Sequence, residues 1–562
     1  MKPDVDWPKL KKHCNSRKSA LLAERQPFEA RWKDVAQHVD PMRGRFDDRD
    51  SNGKIREINY RKIINSRSTK GLRKMTAGFM SGHTSKSRPW FRITVSDPVL
   101  AQHPSVKAWC DDVGQLIRDI LAKSNFYTAL PNFYTERHAF GVAAMACVED
   151  TREVVRFHTF TVGEYAIGLN ERGTVDTFWR RYTLSAGQIR DKFSKNVGGD
   201  NHLPDKVRDA LKHDREDQKF TIECLIEPNP DKKPGTQGRM HKAFRVVDWM
   251  DGKVLDVQSD YENPILASRW DAVSGAVYST SPAIDALGDI KQLQHQEGVK
   301  LKLGDKIADP PMGLPDSMRN QRASLMPGAI TYLSPTDANQ QVGALYVPNA
   351  QAVQVIREDI AEVQGRVDEA FMLDLFQMLA FLDDRQRTAY EISARQEEKL
   401  SMLGPFLESL TDEVLDPAIS RVYGIADRRG LVPEPPEEMR GADVSIEYTS
   451  TMAQAQKASG ISTIERVVGF VGGLAQATQD QSVWDKFDSD EAIDIYADQV
   501  GVPARVVRGD DAVGELRMSR QQQQQMQQMA QMAPAMKQGA DAIAKLAETA
   551  PVEGSIAEGL SA

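Results

Sequence analysis

Chemistry at a phosphate or an acyl group needs particular side chains at fixed spacing, and this 562-residue sequence offers few of them. The string nearest to a nucleotide-binding loop, Gly78-Phe79-Met80-Ser81-Gly82-His83-Thr84, lacks the lysine that reaches a phosphate oxygen. HExxH, GxSxG and GxGxxG are absent, and the ten histidines form no close ligand pair. Two carboxylate pairs, Asp111-Asp112 and Asp383-Asp384, have the chemistry of a metal nuclease, but acidic neighbours on solvated loops or helix starts are much commoner. No catalytic residue, metal site or cofactor is assigned, and the chain reads as non-enzymatic.

The remaining chemistry is electrostatic. Residues 54–92 hold eleven Lys or Arg against one acid, Glu57, which is the best local match to a phosphate-binding surface. A basic surface facing an acidic neighbour or subunit explains that composition slightly better, because no aromatic ladder for base stacking is interleaved. Globally the chain is acidic, with a formal charge of −8, 27% charged and 40% hydrophobic residues, so any DNA contact must be local or weak. No apolar run approaches a spanning helix and the first twelve residues are too polar for a secretory signal, so synthesis in a cytosol and no membrane insertion are expected. Cys14, Cys110, Cys147 and Cys224 are far apart and form no CxxC, which predicts reduced, mostly buried thiols.

These residues must be positioned by a long helical hairpin around which the chain is organised. Ser279-Thr280-Ser281-Pro282 announces its first helix, with a hydroxyl at the N-cap and a proline at the first helical position. Apolar residues follow at Ile284, Leu287, Ile290 and Leu293 and resume at Val299, Leu303 and Ile307, until Pro310-Pro311 forbids continuation. The returning helix carries Val353, Ile356, Ile360, Val363, Val367 and Phe371 at spacings of three and four, so one face must be buried. Between them, residues 310–348 contain one convincing strand, 328–333, and too little apolar material for a separate core. A capping box, Thr388-Ala389-Tyr390-Glu391, restarts a long helix that keeps its period to Val414, with kinks expected at Gly404-Pro405 and Pro417.

Before the hairpin, helices are predicted over 19–39, 60–80, 106–123 and 126–140. Strands are predicted over 89–95, in a meander between 143 and 182, and over 220–226 and 244–249. This half is α+β. Beyond the long helix come a strand at 444–448, helices over 452–478 and 491–500, and a tail with five consecutive glutamines that reads as a polar helix or a disordered extension.

In this order the residues match a family: the sequence resembles the head-to-tail connector, or portal, proteins of short-tailed bacteriophages, from about residue 21 to 520. The resemblance is carried by Glu24-Arg25 with Trp32 and Asp40-Pro41; by Pro89-Trp90-Phe91; by Ser124-Asn125-Phe126-Tyr127; by Arg269-Trp270 followed by Tyr278-Ser279-Thr280-Ser281-Pro282; by Ala308-Asp309-Pro310-Pro311; and by Arg387-Thr388-Ala389-Tyr390-Glu391. It implies a portal-type subunit: an N-terminal arm and α+β wing over 1–280, stem helices over 281–307 and 349–375, a small α/β clip over 308–348 and a tunnel loop over 376–387. A long wing helix and strand would follow over 388–450, a helical crown over 451–520, and a Gln/Met-rich tail over 521–562 that extends as a barrel helix before becoming disordered.

The resemblance further implies a homo-oligomeric ring, twelve copies in the family, around a channel for double-stranded DNA at one capsid vertex of the virion. The partners it implies are the terminase large subunit, the major capsid and scaffold proteins and the tail adaptor proteins. Duplex DNA presents about one charge per 1.7 Å, so a conduit densely lined with cations would grip it. Sparse basic groups are expected instead: Arg385 and Arg387 beside Asp383 and Asp384 in the tunnel loop, and Lys291, Lys300, Lys302 and Lys306 on the first stem helix. A solvated face, or intersubunit salt bridges to Glu358, Glu362 or Glu369, accounts for the lysines equally well. A non-DNA structural adaptor or scaffold ring is the alternative function, and a metal-dependent nuclease the third.

Overall fold

The computed structural model describes residues 7–46, 60–194, 203–229, 244–251, 253–309, 312–313, 343–344, 349–376, 403–439, 443–450, 452, 459–478, 481–500, 513–524 and 526. The chain divides into two compact units, Met1–Ser459 and Gly460–Ala562. The first is α+β. It opens with α1 (Trp7–His38), which starts twelve residues before the predicted helix at 19. The lysine-rich first turns hide an apolar stripe, Leu10, Cys14 and Leu21, that packs on Trp179, Leu225 and Trp249 of a sheet. The other end of α1 inserts Trp32 into the main core, where its indole N–H donates to Phe140 O at 2.8 Å.

Helix α2 (Arg67–Gly82) begins later than the predicted residue 60, because the backbone N–H groups of Ile64 and Asn65 bond a distant glutamine side chain instead of continuing a helix. Strand β1 (Phe91–Val95), α3 (Pro98–Gln102), α4 (Pro104–Lys123) and α5 (Phe126–Phe140) follow. Helix α5 ends at Gly141 in the left-handed conformation, φ +78°, and a Cβ there would lie 2.3 Å from Thr280 O, so only glycine lets the two chains touch.

The sheets are antiparallel. Strands β2 (Val142–Asp150) and β3 (Val154–Phe160) form a three-stranded sheet with β9 (Ile265–Arg269) in the order β3-β2-β9. Strands β4 (Tyr165–Leu169), β5 (Val175–Ser185), β6 (Lys219–Pro228), β7 (Phe244–Met250) and β8 (Lys253–Asp260) run in simple sequence order in a five-stranded sheet. Helices α6 (Ala186–Ile189) and α7 (Asp205–Lys212) seal one end of that sheet with Phe193, Leu203 and Val207.

The predicted continuous helix from 281 is broken. Helix α8 (Pro282–Asp285), capped by Ser281 Oγ accepting from Ile284 N, stops at Ala286, whose ψ of −1° resets the chain before α9 (Leu287–Ala308). Two short strands, β10 (Met312–Gly313) and β11 (Gly343–Ala344), pair antiparallel, and α10 (Ala350–Ala370) returns behind the Asn349 cap. The strand predicted at 328–333 and the restart at Thr388 lie outside the described residues. Residues 403–410 are helical and lead through a π turn, Thr411–Leu415, into α11 (Asp416–Arg428), so the expected disturbance near Pro417 is a local widening of the helix. Strand β12 (Val444–Tyr448) then pairs with β1, Phe91 opposite Tyr448, across more than 340 residues.

In the second unit, α12 (Ser459–Thr478) and α13 (Ser489–Val500) are followed by helical residues 513–524, so Gln521 to Gln524 continue a helix. Arg517 bridges to Asp490 at 2.7 Å within this unit.

All four cysteines are free and buried. Burial pushes the Cys14 and Cys147 thiols up to about 12 and Cys110 to about 11, leaving them protonated and unreactive.

Two histidines sit neutral in the core. Burial, with Arg137 adding repulsion, lowers His83 to about 4 and holds His138 well below its ordinary value. Among the described residues neither ring nitrogen of His138 has a partner, and its ring is walled by Phe79 and Trp270 at 4.5 and 5.3 Å. Unfolding lets these rings take up protons, so their stabilising effect is complete above about pH 6.5 and is lost as pH falls towards 4. His138→Phe is expected to flatten the pH dependence of the unfolding free energy from urea titrations between pH 6.5 and 5 by up to about 1.4 kcal/mol per pH unit; an unchanged slope would show that His138 takes up no proton on unfolding.

Candidate functional site

The candidate site is the root of the α9/α10 hairpin and the helix that holds it, α2. Helix α2 buries Leu72, Met75, Thr76 and Phe79 together with Gly71. Its glycines are seats for the returning chain: a Cβ on Gly71 would lie 2.9 Å from the Phe371 ring, and one on Gly78 only 2.1 Å from the Phe376 ring. Between those rings, Met372 adopts a left-handed φ of +51° and turns the chain out of α10. Phe371, Leu373, Leu375 and Phe376 are all buried, so the segment leading to residue 377 is anchored on α2.

Polar contacts fix the register. Arg67, on the first turn of α2, makes a bidentate pair with Asp368, its Nε donating to Oδ1 at 2.6 Å; that bond raises the Arg67 pKa. Gln294 of α9 is buried; its Oε1 accepts from Ile64 N and Asn65 N at 2.7 and 2.8 Å, and its Nε2 donates to Asn65 O at 2.8 Å. Asn65 Nδ2 donates to Glu297 at 2.8 Å. Burial works to raise the Glu297 carboxyl, but bonds from Lys300 and Asn65 outweigh it and hold the pKa below the usual value. Gln294 and Glu297 occupy the interval where the apolar stripe of α9 lapses between Leu293 and Val299, and that lapse is the sequence signal for them.

The apolar stripe of α10 is buried only towards the root. Val367 and Phe371 join the main core, while Ile360 and Val363 meet Leu293 in a small cluster with Ile356 at its edge. Val353 is half-buried, and nearer the free end Val355, Leu301 and Ile307 are 56%, 54% and 42% exposed.

Of the predicted channel lysines, Lys291 pairs with Asp34 of α1 at 2.6 Å and Lys300 pairs with Glu297 one turn earlier. Both partners belong to the same subunit; of the three acids named for intersubunit bridges, Glu362 pairs with Arg366, which also bonds Asp289 at 2.9 Å. Lys302 and Lys306 are exposed on the outer turns of α9. Asp383, Asp384, Arg385 and Arg387 lie outside the described residues. Asp111 and Asp112 sit on α4, half-buried and exposed, and among the described residues no three His, Cys, Asp or Glu converge as metal ligands.

A family model described as bacteriophage head to tail connecting protein matches residues 11–507. The chain belongs to that family. It is 36% identical over 537 residues to a probable portal protein of Bordetella phage BPP-1, covering 94% of each chain. It is 34% identical over 536 residues to the portal protein of Salmonella phage epsilon15, covering 94% of this chain and 95% of that one. A solved chain from the neck of an empty GTA particle aligns at 12% identity and a TM-score of 0.33, over 71% of this chain and 86% of that one. The role is therefore the structural one of a phage portal at the head-to-tail junction of a virion, in an α+β chain. No helix among the described residues is long and apolar enough to cross a membrane.

The seating of Phe376 on Gly78 gives a direct test. Gly78→Ala is expected to destabilise the subunit by about 1–3 kcal/mol, because the added methyl must displace a buried ring. Combined with Phe376→Ala, its cost should fall well below the sum of the two; additive urea midpoints would mean the contact does not couple the segments.

Proposed function

We propose that the protein assembles as a closed ring, twelve copies as its family resemblance implies, whose α9/α10 hairpins form the stem of a channel for double-stranded DNA at one capsid vertex. The observation that carries this is the hairpin's uneven burial: its root is sealed into its own subunit, while Leu301, Ile307 and Val355 towards the free end are left to water. Identical neighbours in a heterologous ring cover such a surface without any further protein.

In this reading residues 1–280 with 388–450 form the wing, 281–307 and 349–375 the stem, 308–348 the clip, 376–387 the tunnel loop, 451–520 the crown and 521–562 a tail. The clip docks the terminase large subunit during packaging and tail adaptor proteins afterwards. The wing meets the major capsid and scaffold proteins, and the chain is made in the host cytoplasm. Anchoring of the chain on α2 up to Phe376 supports a loop whose base is held while its tip reaches the lumen. Conduction needs few contacts, and a net charge of −8 with Lys291 and Lys300 already neutralised by Asp34 and Glu297 suits a stem that does not grip DNA.

Native mass and electron micrographs of the purified chain test the ring: twelve copies of 62.7 kDa, about 750 kDa, with a DNA-wide hole are expected. A ring without such a hole would favour a non-DNA adaptor. The loop is tested separately by Arg385→Glu with Arg387→Glu, which should impair packaging or DNA retention while rings stay intact; normal packaging by intact mutant rings would remove the role assigned to these arginines.

A further inference from the structure

The outer face of α2 is exposed among the described residues. Between Ile58 and Ser96 the sequence holds nine Lys or Arg and not one Asp or Glu. The structure spends several of these cations: Arg67 on Asp368, Arg92 on Glu447, Lys62 on the side-chain oxygen of Gln37, and Lys86 over the Tyr127 ring. Of the other five, Arg61 and Arg88 lie outside α2, and Lys70, Arg73 and Lys74 lie on it. They stand exposed on one side of α2, followed on the same side by exposed Ala77 and Ser81, and among the described residues none of the three has an ion-pair partner.

We propose that this face of α2 binds the phosphate backbone of double-stranded DNA. The proposal deepens the channel reading and rests on it. Residues 70 to 74 rise about 6 Å along a helix, close to the axial span of two phosphates on one strand at about 3.4 Å each. The small side chains of Ala77 and Ser81 let a rod approach without obstruction. A second copy of the chain fits the face less well, because subunit interfaces are depleted of lysine and centred on apolar anchors, and this face has none. The apolar surface a neighbour would cover lies instead at Leu301, Ile307 and Val355. Position supports the assignment too, since Gly78, one turn after Lys74 on the adjoining side of the same helix, seats Phe376, from which the proposed tunnel loop departs.

The contact is electrostatic and blind to sequence, so salt should release it. Full-length protein is titrated with fluorescent duplexes of several sequences over a range of sodium chloride concentrations, with native mass recorded in the same buffers. Lys70→Ala with Arg73→Ala and Lys74→Ala is expected to weaken binding equally for all sequences. It should lower the slope of log affinity against log salt by about one for each cation that touches a phosphate. Lys70→Arg with Lys74→Arg should retain both affinity and slope.

Unchanged affinity and slope in the triple alanine variant would overturn the proposal, as would the absence of any salt-dependent binding by the unmodified protein. Loss of assembly in the triple variant would make the face a contact between copies and overturn it as well. Failure of the unmodified protein to form rings would instead sink the channel reading, and the comparison of the variants on DNA would still decide the role of α2.

Discussion

One buried cation ties together the parts of the first unit that are remote in sequence. Arg137, on α5, is fully buried, and desolvation pulls its pKa down to about 10, so it remains charged at neutral pH. Its Nε donates to Ser268 Oγ at 3.0 Å, and its Nη2 donates to Phe406 O and Ser409 Oγ, both at 2.7 Å. The guanidinium also lies 4.9 Å from the Trp270 ring, which stacks on Phe406. A charge in this position costs several kcal/mol unless its partners stay in place, so α5, the end of β9 and the helix at 403–410 must fold as one. Arg269 repeats the device on Glu413 in the π turn, and Arg421 donates to Cys147 O on β2 at 2.7 Å.

That rigid body gives the hairpin something to stand on. The root of α9 and α10 is fixed by groups that are costly to leave unsatisfied once buried: Gln294 on the amides of Ile64 and Asn65, and Arg67 on Asp368. Away from the root the hairpin loses these partners, and its apolar residues meet solvent. The hairpin is thus held by its own subunit at the root and leaves apolar residues exposed away from it. Both properties suit a member of a family whose relatives are named portal proteins.

Helix α2 links the two regions. One face carries the glycines on which Phe371 and Phe376 sit, and the face beside it carries Lys70, Arg73 and Lys74, which have no ion-pair partner among the described residues.

The sequence by itself determined the apolar period of α9 and α10, the Ser281-Pro282 start with its hydroxyl cap, the stop before Pro310 and the segments that became β1 and β12. These are local properties, set by spacing, hydroxyl caps and proline geometry. It also held the ordered short motifs from which the family could be read. Tertiary structure alone decided that β1 pairs with β12, that α1 begins at Trp7 on the face of a sheet, and that Ile64 and Asn65 give their amides to Gln294 rather than to a helix. It alone decided which cations near α2 are neutralised and which are left over, since Arg67 and Lys70 are indistinguishable by composition. Only the position of Asp368, brought 301 residues back along the chain, separates them. Long-range pairing depends on which surfaces meet after the chain has folded, and no local periodicity encodes that.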